Sequence, residues 1–158
     1  MSTEATKIYY KAAKECVDPD TGAVQLRPAM NSSRHVFAVG STHVLDGVPE
    51  MCRHGFHATP HPAFILLNSS EFGYTVHDAL LKVDLGPEAG IVHDGPGKSV
   101  SCTMTVLSRI SWADALAEAG TWRKGTFSLD GDALKVVWLN GDMEWLRHGK
   151  LRQGEKEK

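Results

Sequence analysis

Four side chains that can bind a metal ion lie within one short segment. Between positions 52 and 61 the sequence reads C-x-H-x2-H-x3-H, and thiolate and imidazole groups are common zinc ligands. This spacing matches no common zinc signature, and Pro60 and Pro62 stiffen the end of the segment. One hypothesis is a zinc-stabilised module; in the alternative, His54 and His61 face solvent and the cysteine is a small buried residue. The four candidate ligands are Cys52, His54, His57 and His61.

The same segment offers a nucleophile and a base. Cys52 and His57 are close in sequence, and Cys102 lies on a predicted strand that could approach them. Nothing in the sequence marks either thiol as activated, and no G-x-S-x-G, P-loop or dinucleotide fingerprint is present. The segment "HDGPGKSV" lacks the spacing of a phosphate-binding loop and is interpreted as a turn. We therefore assign no catalytic residue from the sequence.

His57 is expected to have a fixed orientation. It follows Gly55, which gives the backbone freedom, and Phe56, which is expected to anchor the corner in the core. Thr59 and Pro60 suit the N-cap and first position of a helix, whose free N–H groups favour an anion. His57 and Thr59 are thus candidates for binding a phosphate-bearing ligand. In the alternative, His57 only holds the turn through a hydrogen bond to a neighbouring carbonyl group.

The composition is that of an ordinary globular domain. The 158 residues are 42% apolar and 23% charged, with a formal net charge of -2, which argues against a surface built for nucleic acid. The three cysteines are widely spaced and suggest free thiols in a reducing compartment. The N-terminus shows no apolar signal region, and no run approaches the roughly 18 apolar residues of a membrane span. We expect a cytoplasmic protein with no membrane contact.

The elements that must position these residues are short. The pattern predicts the α+β class, a small and mostly antiparallel sheet with two short helices and a C-terminal β-hairpin around Asn140-Gly141. Ser111 and Gly120 suit the two ends of the second helix. The predicted domains are a single α+β domain at 1–120, a hairpin appendage at 121–153 and a solvated tail at 154–158. The predicted strands are 7–17 (its second half could equally be helical), 35–40, 42–45, 79–86 and 98–110, and the first helix is placed at 63–70.

The first part of the chain resembles a small uncharacterised domain of phage and bacterial proteins. The resemblance covers roughly residues 9–116 and implies a phage or prophage setting, hence the host cytoplasm, but brings no established activity. The segment at 17–35 is longer than is usual in that family. The matching positions are Lys11, Gly40, Cys52, Gly55, Phe56, His57 and Pro60.

A second resemblance is to ADP-ribosyltransferase-like folds. "GFHATPHPAFILL" is similar to the segment that leads into a helix beside the NAD-gripping strand. The resemblance implies an NAD or other nucleotide site that includes Lys11, although those enzymes carry Arg or His on that strand. Glu144 is the late acidic residue available for their catalytic glutamate.

The C-terminal segment resembles one unit of the hairpin repeats "W-x-N-G-x-x-x-W-x-x-x-G-K-x-x-R" of phage and giant-virus proteins. It suggests four interface anchors, with stacking of the tryptophans across the hairpin or their packing on the domain as alternatives. Our first hypothesis is therefore non-enzymatic binding to a host or viral protein. ADP-ribosyltransferase-like nucleotide binding and the zinc module are the alternatives. The four anchors are Trp138, Trp145, Arg147 and Arg152.

Overall fold

The α+β class and the antiparallel strands are confirmed by a computed structural model, which describes residues 7–27, 36–68, 72–95 and 97–146. The helical segments of these residues include α1 (Ala63–Leu67), α2 (Trp112–Ala119) and a short 3-10 helix at Glu88–Gly90. Within these residues no helix has the length and apolar character to cross a membrane. The strands are β1 (Tyr9–Val17), β2 (Val24–Arg27), β3 (Thr42–Val44), β4 (Phe56–Ala58), β5 (Ala79–Asp84), β6 (Ile91–Asp94), β7 (Lys98–Ser101), β8 (Thr103–Ile110), β9 (Thr121–Trp122), β10 (Gly125–Asp130), β11 (Ala133–Trp138) and β12 (Met143–Leu146).

The described strands form three antiparallel sheets. The central sheet has the order β2-β1-β5-β8-β3, the C-terminal sheet β12-β11-β10-β9, and the small sheet β4-β7-β6. One face of the central sheet packs with α1, α2 and the C-terminal sheet, and the other packs with the small sheet and Phe37. The central sheet is therefore apolar on both faces.

Strand β1 shows how the sequence supports these two faces. Tyr10 and Ala12 belong to the core beneath the helices, whereas Tyr9 and Ala13 belong to the core beneath the small sheet. Side chains alternate between the faces of a strand, so a strand buried on both sides is nearly continuously apolar. The second half of β1 remains extended and pairs with β2, so the helical alternative for that half is wrong.

The predicted strand at 98–110 is wrong as a single element. The chain leaves the small sheet after β7, and β8 then enters the central sheet. Ser101 Oγ donates to the carbonyl oxygen of Leu85 at 2.7 Å next to this crossing. Because β7 and β8 are both partly buried and extended, the alternation gives no sign of the break at Cys102. The strand predicted at 35–40 is also wrong where the structure describes it, because residues 36–40 form a loop that inserts Phe37 into the core.

The sequence correctly predicted the two ends of α2 but not the residue that caps α1. Ser111 caps α2, since its side chain accepts from the backbone N–H of Asp114 at 3.1 Å, and Gly120 ends the helix with a φ of 75°, both as predicted. Thr59 was expected to cap α1, which is wrong: Pro62 occupies the N-cap and makes no side-chain bond there. Thr59 instead pairs with Tyr10 through the backbone, and this tertiary contact keeps it extended.

The C-terminal hairpin is confirmed, and it is part of a larger sheet. β11 and β12 flank Asn140-Gly141, and β9 and β10 complete the sheet. Its inward side chains share one core with Tyr10 and Leu80 of the central sheet. The division at residue 120 remains a prediction, and 147–158, which include the predicted tail, lie outside the described residues.

Candidate functional site

The candidate site lies where β1 and β4 diverge. Tyr10 and Thr59 exchange two backbone hydrogen bonds, at 2.7 and 3.0 Å. One step further, the ammonium nitrogen of Lys11 donates to the carbonyl oxygen of His57 at 2.7 Å. A side chain thus satisfies a backbone acceptor at the edge of β4, where the two strands no longer pair.

Lys11 is a half-buried residue whose ammonium group lies in an apolar setting. Its Nζ lies 5.8 Å from the ring centroid of Phe37. Burial lowers the pKa of Lys11 from 10.5 to about 8 because an ammonium group loses hydration there. Near that pH a substantial fraction of Lys11 is a neutral amine, which can accept a proton or attack an electrophile.

The ring of His57 locks the turn that precedes β4. Its Nε2 accepts from the backbone N–H of Cys52 at 2.7 Å, and the ring also bonds to the backbone of Gly55. Burial lowers the pKa of His57, and the charges of Lys11 and Lys98 lower it further. The imidazole is therefore neutral at pH 7 and holds the turn, as the structural alternative predicted.

The corner that carries His57 is rigid, as expected. The Phe56 side chain is buried, with 4% of its surface exposed. Gly55 has a φ of 119°, and a Cβ there would lie 2.6 Å from a methyl group of Val100. Only glycine fits this backbone conformation and this space.

Lys98, which the sequence analysis did not single out, joins Cys52 to this site. Its Nζ lies 3.2 Å from the Cys52 sulfur and 5.6 Å from the ring centroid of Phe72. Cys52 is exposed and was expected to be buried when not a metal ligand, so that expectation is wrong. The two residues are 46 positions apart, and no local signal predicts their contact.

The structure does not gather the four candidate zinc ligands. His54 Nε2 lies 2.6 Å from the carbonyl oxygen of Asp46. His61 is buried, which corrects its expected solvent exposure: Nδ1 accepts from the N–H of Ala63, and Nε2 lies 2.9 Å from the carbonyl oxygen of Gly120. Burial lowers the pKa of His61, which favours the neutral ring. Among the described residues, no three His, Cys, Asp or Glu side chains are grouped to hold a metal ion.

Of the three predicted ligand-binding residues, the structure brings Lys11 and His57 together. Thr59 is buried, and its hydroxyl bonds to the backbone of His61, as donor at 3.0 Å and acceptor at 3.2 Å. Its side chain is committed to the turn before α1.

The sequence also did not predict a series of hydrogen bonds that connects Glu88, His93 and Ser99. His93 bonds to Ser99 Oγ at 2.7 Å through Nδ1 and to Glu88 Oε2 at 2.9 Å through Nε2. The bond to His93 is the main cause of the lowered pKa of Glu88. Ser99 is only 1% exposed, so its hydroxyl is inaccessible to a substrate and the series of hydrogen bonds serves to join β6, β7 and the 3-10 helix.

The two hairpin tryptophans lie on opposite faces of the C-terminal sheet, so the predicted stacking between them is wrong. Trp138 faces the core, where Nε1 donates to Glu144 Oε2 at 2.5 Å and the ring meets Phe127 edge-on. Trp145 faces outward and is 45% exposed. Arg147 and Arg152 lie outside the described residues.

The outward side of this sheet carries a group that we call the outer face. The exposed fractions of Met143 and Val137, which are direct partners on β12 and β11, are 48% and 36%. Trp145 is paired with Lys135, whose Nζ lies 5.6 Å from the indole centroid, and the indole N–H donates to Asp130 at 3.0 Å. The outer face consists of Lys135, Val137, Met143 and Trp145.

Comparison with known proteins adds no relative. The chain matches no family model, no curated protein and no solved structure. The three family resemblances noted in the sequence therefore stay predictions.

Proposed function

We propose that the protein acts by non-enzymatic binding to another protein, through the outer face of its C-terminal sheet. The observation that carries this proposal is the outward tryptophan, Trp145, with Met143 and Val137 on the same face. The phage-type resemblance of the sequence favours a host or viral protein as the partner.

The side chains of the outer face are suited to recognition. Trp145 is held on two sides, by its bond to Asp130 and by the ammonium group of Lys135 over its ring. A fixed aromatic ring loses little conformational entropy when it binds, and tryptophan is enriched among residues that dominate interface energies. Met143 adds a flexible apolar contact that adapts to a partner surface.

Site-specific crosslinking tests this proposal. A photo-crosslinking amino acid at Met143 should capture one discrete partner from a bacterial lysate, and excess unlabelled protein should suppress the capture. Val24, an exposed residue on β2, provides the matched control position. Equal capture from both positions, or none from Met143, would contradict the proposal.

A second candidate function is binding of NAD or another nucleotide beside β4. It is favoured by one observation: Lys11 and Lys98 both act electrostatically on His57, so two cations lie near one corner. Phosphate groups are attracted to such a site. The predicted catalytic glutamate is not brought there, because Glu144 lies among core residues of the C-terminal sheet, across the central sheet from Lys11.

Thermal shifts with NAD, ADP-ribose and cyclic nucleotides test this candidate. A ligand at a hundredfold excess over Kd stabilises the fold by about 2.7 kcal/mol, which gives a measurable rise in Tm. The rise should disappear in K11M. No shift with any of these ligands excludes the second candidate and leaves the protein-binding proposal untouched.

A further inference from the structure

Cys52 differs from the other two cysteines in its surroundings. It is exposed, whereas Cys16 and Cys102 are half-buried. The sulfur of Cys52 lies 3.2 Å from the ammonium nitrogen of Lys98, whereas that of Cys16 faces the carbonyl oxygen of Lys14 at 4.0 Å. A cation in contact with an accessible sulfur stabilises negative charge on it, and the thiolate is the reactive form of cysteine.

The pair is positioned by more than one element. Lys98 begins β7, and Cys52 lies in the turn before β4 with a φ of 62°. The ring of His57 fixes that turn, since it accepts the N–H of Cys52. The Lys98 ammonium also lies over the Phe72 ring, which restricts its position. The thiol, the ammonium and the imidazole thus form a cluster drawn from the turn, β4 and β7.

We propose that Cys52 is a peroxide-reactive modification site activated by Lys98. In the reaction, the thiolate sulfur attacks one oxygen of hydrogen peroxide, an S–O bond forms and the O–O bond breaks. The sulfur is oxidised by two electrons to a sulfenic acid, which keeps the attacked oxygen as its hydroxyl group, and the other peroxide oxygen departs as hydroxide. The departing hydroxide takes a proton from the Lys98 ammonium, which solvent then reprotonates.

Cys52 is connected to the candidate ligand site by two successive hydrogen bonds. The backbone N–H of Cys52 is bonded to the His57 ring, and the carbonyl oxygen of His57 is bonded to Lys11. The modified residue is therefore bonded directly to His57, which belongs to the corner that carries the candidate ligand site. This places an oxidant-sensitive group beside the corner, independently of the outer face.

Residue-resolved labelling of the full-length protein tests the proposal. After brief exposure to hydrogen peroxide at pH 7 and low salt, sulfenic acid is trapped with dimedone and quantified on each cysteine peptide. Cys52 should react at least ~10-fold faster than Cys16 and Cys102, as expected for an accessible sulfur in contact with a cation. K98M should reduce the Cys52 rate by at least ~5-fold, because it removes the cation and keeps most of the side-chain volume. K7M, a change of the same type at an exposed lysine whose ammonium group also lies over an aromatic ring, should leave it unchanged.

Two results would overturn the proposal. One is equal labelling of the three cysteines; the other is a Cys52 rate that K98M does not change, which would mean that exposure alone sets it. If K98M fails to fold, the salt dependence of the Cys52 labelling rate in the natural protein tests activation by Lys98. Raising the ionic strength from about 0.01 to 1 M shortens the Debye length from roughly 30 to 3 Å and should slow Cys52 alone. A Cys52 rate unaffected by salt would then refute activation by Lys98.

Discussion

The ammonium group of Lys11 lies 2.7 Å from the carbonyl oxygen of His57 and donates a hydrogen bond to it. The bond joins β1 to β4 just beyond the Tyr10–Thr59 pair, where the strands separate. It therefore extends the contact between the central sheet and the small sheet by one residue. The cost is a cation that loses hydration beside the apolar ring of Phe37.

This cost predicts a pH dependence of stability. Burial depresses the pKa of Lys11 to about 8 in the folded protein, whereas the unfolded chain titrates near 10.5. Between these values the unfolded state binds more protons than the folded state, so the free energy of unfolding rises with pH. Below about pH 8 both states are protonated, and the contribution is constant and unfavourable.

Urea unfolding at pH 7 and pH 9.5 measures this effect. The natural protein should gain up to about 2 kcal/mol from Lys11 over this interval, and K11M should lack that gain. Comparing the two proteins cancels other titrating groups, including Tyr10, whose pKa is raised mainly by burial. An identical pH dependence in both proteins would show that the Lys11 ammonium is well hydrated.

The glycine before the Phe56–His57 corner should tolerate no side chain. In G55A the new Cβ would lie 2.6 Å from Val100 Cγ2 and 3.0 Å from the backbone oxygen of Ser101. We expect a loss of at least about 2 kcal/mol in the free energy of unfolding, from strain and from the displaced core.

The matched control is G131A. Gly131 also has a positive φ, of 60°, but a Cβ there meets nothing within 4 Å. G131A should lower the free energy of unfolding by about 1 kcal/mol, which is the cost of placing a non-glycine residue at a positive φ. Equal losses in chemical denaturation of the two variants would show that the corner is not tightly packed.

His61 should be needed for stability rather than for metal binding. It stacks on Trp122 with ring centroids 5.4 Å apart and links the start of α1 to the end of α2. H61A should cost about 2–4 kcal/mol, through lost packing and two backbone groups left without partners. H77A, at an exposed position, should change thermal stability by less than about 0.5 kcal/mol. A similar small effect for H61A would contradict its role as a buried link.

The sequence correctly predicted those elements that are determined by interactions between residues close together in the chain. The Ser111 cap, Gly120 and the Asn140-Gly141 turn each depend on residues within a few positions, so α2 and the β11–β12 hairpin follow from the sequence. The buried Phe56 and the positive φ of Gly55 were predictable for the same reason.

Tertiary contacts decided the rest. The break between β7 and β8 arises from a change of sheet, and extended residues on both sides hide it. Threonine is a common helix N-cap residue, but the backbone pairing of Thr59 with Tyr10 keeps Thr59 extended. Lys98 and Cys52 meet across 46 positions, a distance over which a single sequence carries no pairing signal.

The most direct test of the central claim, protein binding through the outer face, is a calorimetric titration of the partner captured at Met143. The double variant W145A/M143A should bind at least ~10-fold more weakly, since exposed aromatic anchors dominate such interfaces. Its Tm should stay close to that of the natural protein, because both side chains are largely outside the core. The control V17T/V24T, on the exposed ends of β1 and β2, should keep the natural Kd. An unchanged Kd in W145A/M143A, or an equal loss in the control, would contradict the account.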